Sequence, residues 1–533
     1  MPSPPDLSEA AALQRAGRLA EAEAACHAVL AGDISNAEAW RLLAAVAAAR
    51  GDAYFAEAAN RRALAAQPGS VDTLVAMAAA LRQQNRAGEA EAALIQALQQ
   101  APRSAGLLAE LADMRRERGS LGEAEALLRQ ALDIDIDYAN AWNYLGMIRD
   151  AQEEPIAAEA CYRRAVELNP RFAVALVNLG SVLMGREKFE EAIKQYDSAV
   201  ALAPGLGAAH WNRAMALFMI GNYGPRAWSD YDWRWRVPEL LRNAEVRILD
   251  RRWRGESVAG KTVLLHSEQG IGDTFQFARY VPLVAQRGAR VVLAVQPATI
   301  PVLSQLPGIE RIMSIADVLP PYDWNATLPD LPGLFGTTLD TVPARQGYLR
   351  ADPPRAARWQ ARLAGEARPK IGLVWAGNPR HRQDRFRSIA LGALAPLLER
   401  RDVAWFSLQV GERAADIAAA GLTGRIANLA PDLKDFADTA AALSALDLTI
   451  CVDTAVLHLA GALGRPAWLM LPRVVDWRWM MERDDTPWYA SVQLFRQSTQ
   501  GDWAPVVVQI GAALQSVLAS RGAAPRRLSG SSA

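Results

Sequence analysis

Small and apolar residues recur every 34 positions along the first 222 residues of the chain. One column of this pattern is alanine: Ala22, Ala56, Ala90, Ala124, Ala158 and Ala192. A second column, seven positions further on, reads Val29, Ala63, Ala97, Ala131, Ala165 and Ala199, and proline closes four units at Pro68, Pro102, Pro170 and Pro204. Small residues let two helices approach closely, and proline ends the second helix of each pair. The pattern therefore predicts helix pairs stacked as an all-α repeat array.

The best-formed unit contains Trp142, Leu145, Gly146, Ala158, Tyr162, Ala165 and Pro170. Its spacing resembles the tetratricopeptide repeat, with six units and a partial one over residues 5–222. The resemblance implies a superhelix whose concave wall binds a protein partner. The first helix of each unit would line this acceptor groove with Asn143, Met147, Val177, Ser181, Met184, Trp211 and Met215. Methionines suit adaptable peptide binding; the alternative is that several of these side chains pack between neighbouring repeats.

Residues 223–258 lose this period and concentrate aromatic and basic side chains. The aromatic residues include Trp228, Tyr231, Trp233, Trp235 and Trp253. Aromatic and basic interleaving can bind single-stranded nucleic acid. We favour an apolar interface instead, because acids such as Asp230 and Asp232 neutralise the arginines and a segment between two domains must pack against both.

Residues 259–352 alternate strand and helix patterns. Thr262 to His266 predicts a strand, a helical pattern covers Thr274 to Arg287, and Arg290 to Val295 predicts a second strand. This order indicates a parallel α/β lobe. It lacks a dinucleotide fingerprint, because Phe275 stands in place of the third glycine and Gln296 in place of the ribose-binding acid. An oxidoreductase is therefore disfavoured.

A second lobe, residues 369–520, follows a Pro- and Arg-rich stretch, residues 353–368, that is typical of a linker. Apolar runs predict strands at Lys370 to Ala376, Asp402 to Gln409 and Leu448 to Val452, and one more strand before Pro472. Asp453 and Thr454 fall where the third of these strands meets a helix. Backbone N–H groups and a hydroxyl at such a point face a crevice suited to phosphate.

Three motifs stand in these loops: Gly272-Asp273; Gly377-Asn378-Pro379 with His381, Asp384, Arg387 and Ser388; and Asp453-Thr454 with His458-Leu459-Ala460 before Gly464-Arg465-Pro466. They resemble the lipopolysaccharide heptosyltransferase family over residues 260–518, with Ala455 in place of that family's glycine. The resemblance implies a GT-B arrangement of two Rossmann-like lobes, the first for the acceptor and the second for a nucleotide sugar. With the repeats, the whole chain resembles bacterial tetratricopeptide-repeat glycosyltransferases, including the flagellin-modifying kind.

The resemblance implies that Asp273 is the base for the acceptor hydroxyl, with Glu268 as second candidate. An N-cap is the alternative role for Asp273. The donor-binding set is Asn378, His381, Arg385, Arg387, Ser388, Asp453, Thr454, Ala455, Val456 and His458. Arginines and a helix N-terminus can stabilise a departing diphosphate, so we expect no metal and no cofactor. Two Asp-x-Asp strings, at Asp133 and Asp230, are expected on solvated helix faces.

Composition narrows the partners. Lys+Arg and Asp+Glu both total 58, which disfavours nucleic acid or an anionic membrane as the main partner. The three cysteines stand in apolar segments, which predicts buried thiols in a reducing compartment. Residues 1–10 carry acids rather than the basic start of a signal peptide, and no uncharged apolar run reaches about 18 residues. We therefore expect a cytoplasmic protein without a membrane span.

These observations favour an inverting, metal-independent glycosyltransferase that moves a sugar from a nucleotide sugar to a protein acceptor, with flagellin as one candidate. The alternatives are a non-enzymatic repeat scaffold with a degenerate GT-B region, and a glycan or lipid-linked acceptor. The predicted fold is an all-α tetratricopeptide superhelix followed by a two-lobed α/β region. The predicted domains are residues 1–222 (repeats), 223–258 (junction), 259–352 (acceptor lobe), 353–368 (linker), 369–520 (donor lobe) and 521–533 (disordered tail).

Overall fold

The computed structural model of the protein describes residues 7–238, 240, 250–379 and 384–523. The chain forms two compact units, one reaching Gly205 and one beginning at Leu206. This division lies before residue 222, where the sequence pattern ends the array, so the partial unit predicted at the end of the array groups with the region that follows it. The domain boundaries as a set remain predictions. Residues 524–533 of the predicted tail lie outside the described residues.

The first unit consists of helix pairs, as the repeat pattern predicts. Its helices are α1 (Leu7–Arg15), α2 (Leu19–Gly32), α3 (Ala37–Ala49), α4 (Ala53–Ala66), α5 (Val71–Gln83), α6 (Ala87–Gln100), α7 (Ala105–Glu117), α8 (Leu121–Ile134), α9 (Ala139–Ala151), α10 (Pro155–Leu168), α11 (Ala173–Gly185) and α12 (Phe189–Leu202). Pro68, Pro102, Pro170 and Pro204 each follow the end of a second helix. Proline has no N–H to continue the helix, which is the physical reason for that position.

The small residues of the repeat are where the helices approach one another. Every alanine of the first column is at most 1% exposed. A Cβ on Gly146 would lie 2.6 Å from Cε1 of Tyr162, and the same holds at 2.5 Å for Gly180 and Tyr196. Glycine is therefore required opposite each tyrosine ring, because a buried ring in a close-packed core has no room to move aside.

A column of glutamates, one position after the alanine column, crosslinks successive repeats. The pairs are Glu23 with Arg50, Glu57 with Arg86, Glu91 with Arg118, Glu125 with Arg149, and Glu159 with Arg186. Each arginine follows or closes the first helix of the next unit, so the ion pairs join neighbouring units. The periodicity of small and apolar residues does not reveal this column, because its members are charged.

The second unit opens with α13 (Gly207–Met219), α14 (Pro225–Tyr231) and a 3₁₀ turn, Asp232–Arg236. The aromatic residues of the junction pack inside this unit. Trp228 is 6% exposed and its indole N–H donates to the Thr337 carbonyl at 2.7 Å, while the Tyr223 hydroxyl donates to the Trp477 carbonyl at 3.1 Å. The Phe218 ring on α13 packs against two tryptophan rings, with its centre 4.5 Å from that of Trp228 and 4.7 Å from that of Trp477. This is the packing role that we favoured over nucleic-acid binding.

The expectation of a solvated helix face is wrong for Asp230. Its side chain is buried, and it accepts hydrogen bonds from Arg213 Nε at 2.7 Å and Nη2 at 2.9 Å, with His210 Nδ1 2.7 Å away. A carboxylate with an arginine partner can be buried where an unpaired one cannot. Asp133 and Asp135 are exposed, as expected.

The first lobe is a four-stranded parallel sheet of strand order β3-β2-β1-β4. Its elements are β1 (Thr262–His266), α15 (Ile271–Phe277), α16 (Val281–Gln286), β2 (Arg290–Val295), α17 (Ile300–Leu303), β3 (Ile309–Ser314), β4 (Trp324–Thr327) and α18 (Leu331–Leu334). β1 and β2 have the predicted bounds. The single helix predicted from Thr274 to Arg287 is instead two helices with a 3₁₀ turn between them, because Pro282 can begin a helix but cannot continue one.

The second lobe is a six-stranded parallel sheet of order β10-β9-β8-β5-β6-β7. Its elements are α19 (Pro353–Leu363), β5 (Lys370–Val374), α20 (Asp384–Arg387), α21 (Ala395–Leu398), β6 (Ala404–Ser407), α22 (Asp416–Ala419), β7 (Ile426–Asn428), α23 (Phe436–Ala445), β8 (Leu448–Val452), α24 (Ala455–Ala462), β9 (Ala467–Leu471), β10 (Val492–Arg496) and α25 (Ala504–Ala523). An all-helical array followed by parallel α/β sheets is the predicted fold class.

The stretch predicted as a linker, residues 353–368, contains helix α19. Asp352 caps it through a bond from the Arg355 N–H at 3.0 Å, and proline occupies the first turn, where no N–H is needed. Trp359 is 1% exposed, and Arg358 pairs with Asp438 of α23 at 2.8 Å. Prolines and arginines made this stretch resemble a linker, although Trp359 and Leu363, four positions apart, lie on one buried face of the helix.

Candidate functional site

The candidate site lies where three neighbouring strands of the second lobe end. β8 is flanked by β5 and β9, and all three run parallel. Their carboxyl ends open onto the loops that start at Trp375, Asp453 and Pro472. This edge of a parallel sheet, with helix N-termini beside it, is where α/β folds bind phosphate groups.

Asp453 is fixed in its loop by two neighbours. Its Oδ2 accepts a hydrogen bond from Trp479 Nε1 at 2.9 Å, and its Oδ1 lies 3.6 Å from His458 Nε2. Burial raises the pKa of Asp453, but His458, the Trp479 bond and the charge of Arg387 outweigh it and hold that pKa at about 2. The carboxylate is therefore ionised at neutral pH and holds the loop in place.

Thr454 precedes the first turn of α24 with extended backbone, φ −144° and ψ 169°, and makes no side-chain capping bond. Its hydroxyl oxygen is buried and has no hydrogen-bond partner among the described residues. The N–H groups of Ala455 and Val456 begin the helix, where the first amides have no intrahelical acceptor. A buried hydroxyl without a partner costs about 1–3 kcal/mol, so a ligand oxygen that bonds to it gains affinity. This arrangement suits a phosphate group.

The loop after β5 is closed by its own residues. The Gly377 N–H donates to Ser388 Oγ at 2.9 Å, and Arg387 Nε donates to Asp384 Oδ1 at 3.3 Å. A Cβ on Gly377 would collide with both Asp384 and Arg387. Ser388 is thus a structural member of the predicted donor set, whereas Arg387 brings its charge within electrostatic reach of Asp453.

Two further members of that set, Asn378 and Arg385, are exposed at the same loop. The Arg385 guanidinium lies 4.4 Å from the Phe386 ring centre. His381 lies outside the described residues. The structure thus brings most of the predicted donor residues to one edge of the sheet.

Asp273 stands in the first turn of α15, in the first lobe, and forms an ion pair with Arg478 of the second lobe. Its side chain is 19% exposed. Burial raises the pKa of Asp273 above its ordinary value, against the opposing charges of Arg478 and His458 and with the support of Asp476 and Asp453. No side-chain capping bond joins Asp273 to the helix, whose N-cap is Gly270. The N-cap role is therefore not the one that Asp273 has.

His458 is enclosed rather than open. Its Nδ1 lies 2.9 Å from the Tyr489 hydroxyl, and the side chain is 7% exposed. A Cβ on Gly272 would lie 2.6 Å from His458 Cδ2, so the glycine-aspartate loop of the first lobe rests on this ring. With both ring nitrogens facing protein groups, His458 positions Asp453 and the neighbouring lobe.

Glu268, the second candidate base, is paired with the junction. Both of its carboxylate oxygens accept from Arg234, Nε at 2.8 Å and Nη2 at 2.7 Å, and its side chain is 8% exposed. A bidentate arginine pair is among the strongest side-chain interactions in proteins. The geometry thus favours a structural role for Glu268.

The predicted acceptor-groove residues divide by exposure. In the first unit, Asn143 and Val177 are buried, and Asn143 accepts from Asn178 Nδ2 at 2.9 Å, as expected of contacts between repeats. Met147 and Met184 are half-buried, and Ser181 is exposed. In the second unit, Met215 is half-buried and Trp211 packs 5.2 Å from the Tyr231 ring.

A separate cavity of about 660 Å³ in the second lobe is lined by Trp405, Ile426 and several arginines, including Arg368, Arg401 and Arg425. It lies toward the amino ends of β6 and β7, not at the edge that carries Asp453. We therefore do not assign it to the substrate, because ligands of parallel sheets bind at the carboxyl ends.

The sequence did not predict two contacts between distant residues. Arg478 of the second lobe reaches Asp273 of the first across 205 positions, and within the second lobe Tyr489 reaches His458 across 31. Trp477 and Trp479, on either side of Arg478, are both buried. The one available signal was an arginine between two tryptophans, which marks a guanidinium held among rings.

Two family models match the chain. The tetratricopeptide repeat model matches residues 75–139, 144–207 and 177–224. The glycosyltransferase family 9 (heptosyltransferase) model matches residues 392–468, a segment that contains Asp453, Thr454 and His458 but not Asp273. The chain thus combines tetratricopeptide repeats with a segment similar to glycosyltransferase family 9 (heptosyltransferase).

Among individual proteins, the chain is similar to Protein FlbA of Caulobacter vibrioides, with 30% identity over 333 residues. The alignment covers 58% of this chain and 55% of FlbA, so the chain matches little more than half of that relative. Two solved structures also match: the APC/C hetero-tetramer Cut9-Hcn1, at 14% identity and TM-score 0.39 over 44% of this chain and 48% of that one, and Pseudomonas aeruginosa pilF, at 19% and 0.33 over 38% and 92%. At these scores neither structure bears on fold or function.

Within the described ranges, His, Cys, Asp and Glu side chains do not gather in threes with a geometry for a metal ion. In the same part of the chain, no helix has the length and apolar character of a membrane span. All three cysteines are buried free thiols, as predicted.

Proposed function

We propose that the protein is a glycosyltransferase that moves a sugar from a nucleotide sugar to a protein acceptor, with inversion and without a metal ion. The observation that carries this proposal is the junction of β8 and α24, where the unpartnered Thr454 hydroxyl meets a helix N-terminus. Gly272 rests on His458 beside this junction, which brings the carboxylate of Asp273 to the same place. A phosphate-binding corner beside a carboxylate that can accept a proton is what a single displacement at a sugar carbon needs.

In this mechanism the Asp273 carboxylate accepts the proton of the acceptor hydroxyl as its oxygen attacks the sugar carbon. The bond between that carbon and the nucleoside diphosphate breaks, and the diphosphate takes the bonding electrons. The first-turn amides of α24, the Thr454 hydroxyl and the Arg387 guanidinium stabilise the negative charge that develops there. One displacement inverts the configuration of the sugar carbon. The cationic groups of the protein do the work that a metal ion does in other transferases.

The repeats would recruit the protein acceptor. Tetratricopeptide arrays bind partners along their concave wall, and the half-buried Met147 and Met184 stand on the predicted wall of the first unit. The resemblance to flagellin-modifying transferases makes flagellin the acceptor to test first, in the cytoplasm before export.

The chemistry is tested with the full chain and a panel of nucleotide sugars, by measuring nucleotide release. Asp273→Asn should lower the rate by about 100-fold or more, the usual contribution of a general base. Asp340→Asn, an exposed aspartate of the same lobe, is the matched control and should leave the rate unchanged. Binding of the nucleotide sugar without turnover in the wild type would favour a scaffold instead.

The acceptor is tested with the double variant Met147→Lys and Met184→Lys in the full chain. We expect it to lose sugar transfer to flagellin, measured by the mass of intact flagellin, while nucleotide-sugar hydrolysis stays at the wild-type rate. Unchanged transfer to flagellin would count against the repeats as the part of the protein that binds the acceptor. Transfer only to a glycan or lipid-linked sugar would replace the protein acceptor.

A further inference from the structure

Arg478 connects the two lobes at the candidate base. Its Nε donates to Gln276 Oε1 at 2.6 Å, its Nη1 donates to Asp476 Oδ1 at 2.8 Å, and its Nη2 donates to Asp273 Oδ1. All three guanidinium nitrogens are therefore engaged, two with the first lobe and one with its own loop. Arg478 is 6% exposed.

Aromatic rings fix the guanidinium further. Its carbon lies 4.5 Å from the Trp477 ring centre and 5.5 Å from that of Phe277. The Arg478 N–H also donates to Asp476 Oδ1 at 3.0 Å. A planar guanidinium group with this many contacts has few alternative positions, so the carboxyl group that it binds is held in one orientation.

The second oxygen of Asp273 is the one left for chemistry. Oδ1 is bonded to Arg478, whereas Oδ2 has no hydrogen-bond donor among the described residues and faces Gly270, where a Cβ would lie 3.3 Å from it. Glycine at 270 thus keeps space open beside Oδ2. A base needs such an oxygen within reach of an incoming hydroxyl.

The charges around Asp273 come from each element packed on α15. His458 of α24 and Arg478 favour the ionised carboxyl, whereas Asp476 and Asp453 oppose it. Asp330 and Arg279 stand on the other elements that pack against α15, and both are bonded elsewhere, Asp330 to Arg234 and Arg279 to backbone carbonyls. Arg478 is the cation in direct contact.

We propose that Arg478 is a positioning residue for Asp273: it binds Oδ1, favours the charged carboxylate and aims Oδ2 at the acceptor hydroxyl. This inference rests on the proposed function of Asp273 as base. Burial and two neighbouring acids raise the pKa of Asp273, whereas Arg478 opposes them, so removing Arg478 should raise that pKa further. Lysine cannot replace the guanidinium group, because one ammonium group cannot bind Asp273, Gln276 and Asp476 in their planar arrangement.

The first test is the pH dependence of kcat/KM for sugar transfer by the full chain. In Arg478→Met the acidic limb of the profile should move at least one pH unit upward, so that the rate falls about tenfold or more at neutral pH and recovers toward pH 9. Arg478→Lys should lie between this variant and the wild type, and it carries the test if Arg478→Met does not fold. Arg483→Met, which removes a half-exposed arginine paired with Asp485, is the matched control.

The second test does not need turnover. A carbodiimide with an amine nucleophile labels protonated carboxyl groups, and peptide mass spectrometry reads the label on Asp273 as a function of pH. In Arg478→Met the labelling should extend to higher pH than in the wild type, with Arg483→Met unchanged. A thermal melt of each variant verifies that it is folded.

The outcomes separate the two proposals. An active wild type whose acidic limb and Asp273 labelling are both unmoved in Arg478→Met would overturn the positioning role and leave the proposed function standing. A wild type that transfers no sugar from any nucleotide sugar would overturn the proposed function and the positioning role with it. A displaced labelling curve in that case would still establish the Arg478–Asp273 ion pair.

Discussion

Replacing Glu159 with glutamine should weaken the joint between two neighbouring repeats by an amount that depends on pH. Glu159 is 6% exposed and accepts from Arg163 at 2.8 Å, from Lys188 at 3.0 Å and from Arg186. Burial raises the pKa of Glu159, but these three cations outweigh it and lower the pKa from 4.5 to about 2. The ionised glutamate therefore stabilises the folded array.

The expected loss of unfolding free energy follows from the lowered pKa of Glu159. A fall in pKa from 4.5 to about 2 corresponds to about 3 kcal/mol at most. The side chains of Arg163 and Lys188 are 40% and 34% exposed, so solvent screens their part of the interaction. We therefore expect Glu159→Gln to cost about 1–2 kcal/mol at pH 7.

The sign of the pH dependence follows because the folded pKa lies below the unfolded one. The contribution of Glu159 is fully present above pH 4.5 and shrinks as the pH falls through the folded value of about 2. The difference between wild type and Glu159→Gln should shrink in the same interval, because protonated glutamate and glutamine are both neutral.

Native-state hydrogen exchange of peptides from α10 to α12 measures this local free energy across pH. Glu167→Gln is the control, because Glu167 is 65% exposed and lies 3.6 Å from Arg164, and it should change the free energy by less than about 0.5 kcal/mol. Equal protection of wild type and Glu159→Gln at pH 7 would refute the reasoning. A difference that stays undiminished at pH 2 would show that the loss is one of packing, not of charge.

Three more substitutions test the packing and the site. Gly146→Ala should destabilise the repeats by about 1–3 kcal/mol in a urea titration, because its Cβ would lie 2.6 Å from the Tyr162 ring. Gly122→Ala is the control, since nothing lies within 4 Å of a Cβ there. Equal urea midpoints for the two variants would contradict this prediction. Gly272→Ala should displace His458 and lower kcat/KM for transfer with little change in the melting of the repeats; an unchanged kcat/KM would show that the lobes tolerate the extra methyl group. Thr454→Val should raise the KM for the nucleotide sugar by about 5-fold without loss of thermal stability, because its hydroxyl has no partner within the described structure to lose; a KM at the wild-type value would remove Thr454 from the donor site.

Local pattern was sufficient wherever an element is regular and packs on itself. The period of 34 located the helix pairs, since one residue column meets the same neighbour in each unit. The buried strands β1, β2 and β8 were found to the residue, because a strand covered on both faces is a continuous apolar run between polar loops. The loop motifs likewise identified Asp453 and Thr454 at the end of β8.

Elements with weak patterns were missed. β7 has 3 residues and β3 mixes charged with apolar residues, so neither forms an apolar run, and the arginines and prolines of α19 are also typical of a linker. Asp230 was expected in solvent because its ion-pair partner, Arg213, lies on the preceding helix and no nearby residue in the sequence indicates the pair.

The sequence by itself determined the repeat period, the parallel α/β class of the second region and the polar residues at its strand ends, because each of these is a local matter of side-chain size and hydropathy. Only the tertiary structure decided which of those residues meet. Arg478 binds Asp273 across 205 positions, Gly272 rests on His458, and Arg234 takes both oxygens of Glu268. A contact between distant residues depends on the path of the whole chain between them, and so it leaves no periodic trace in either segment.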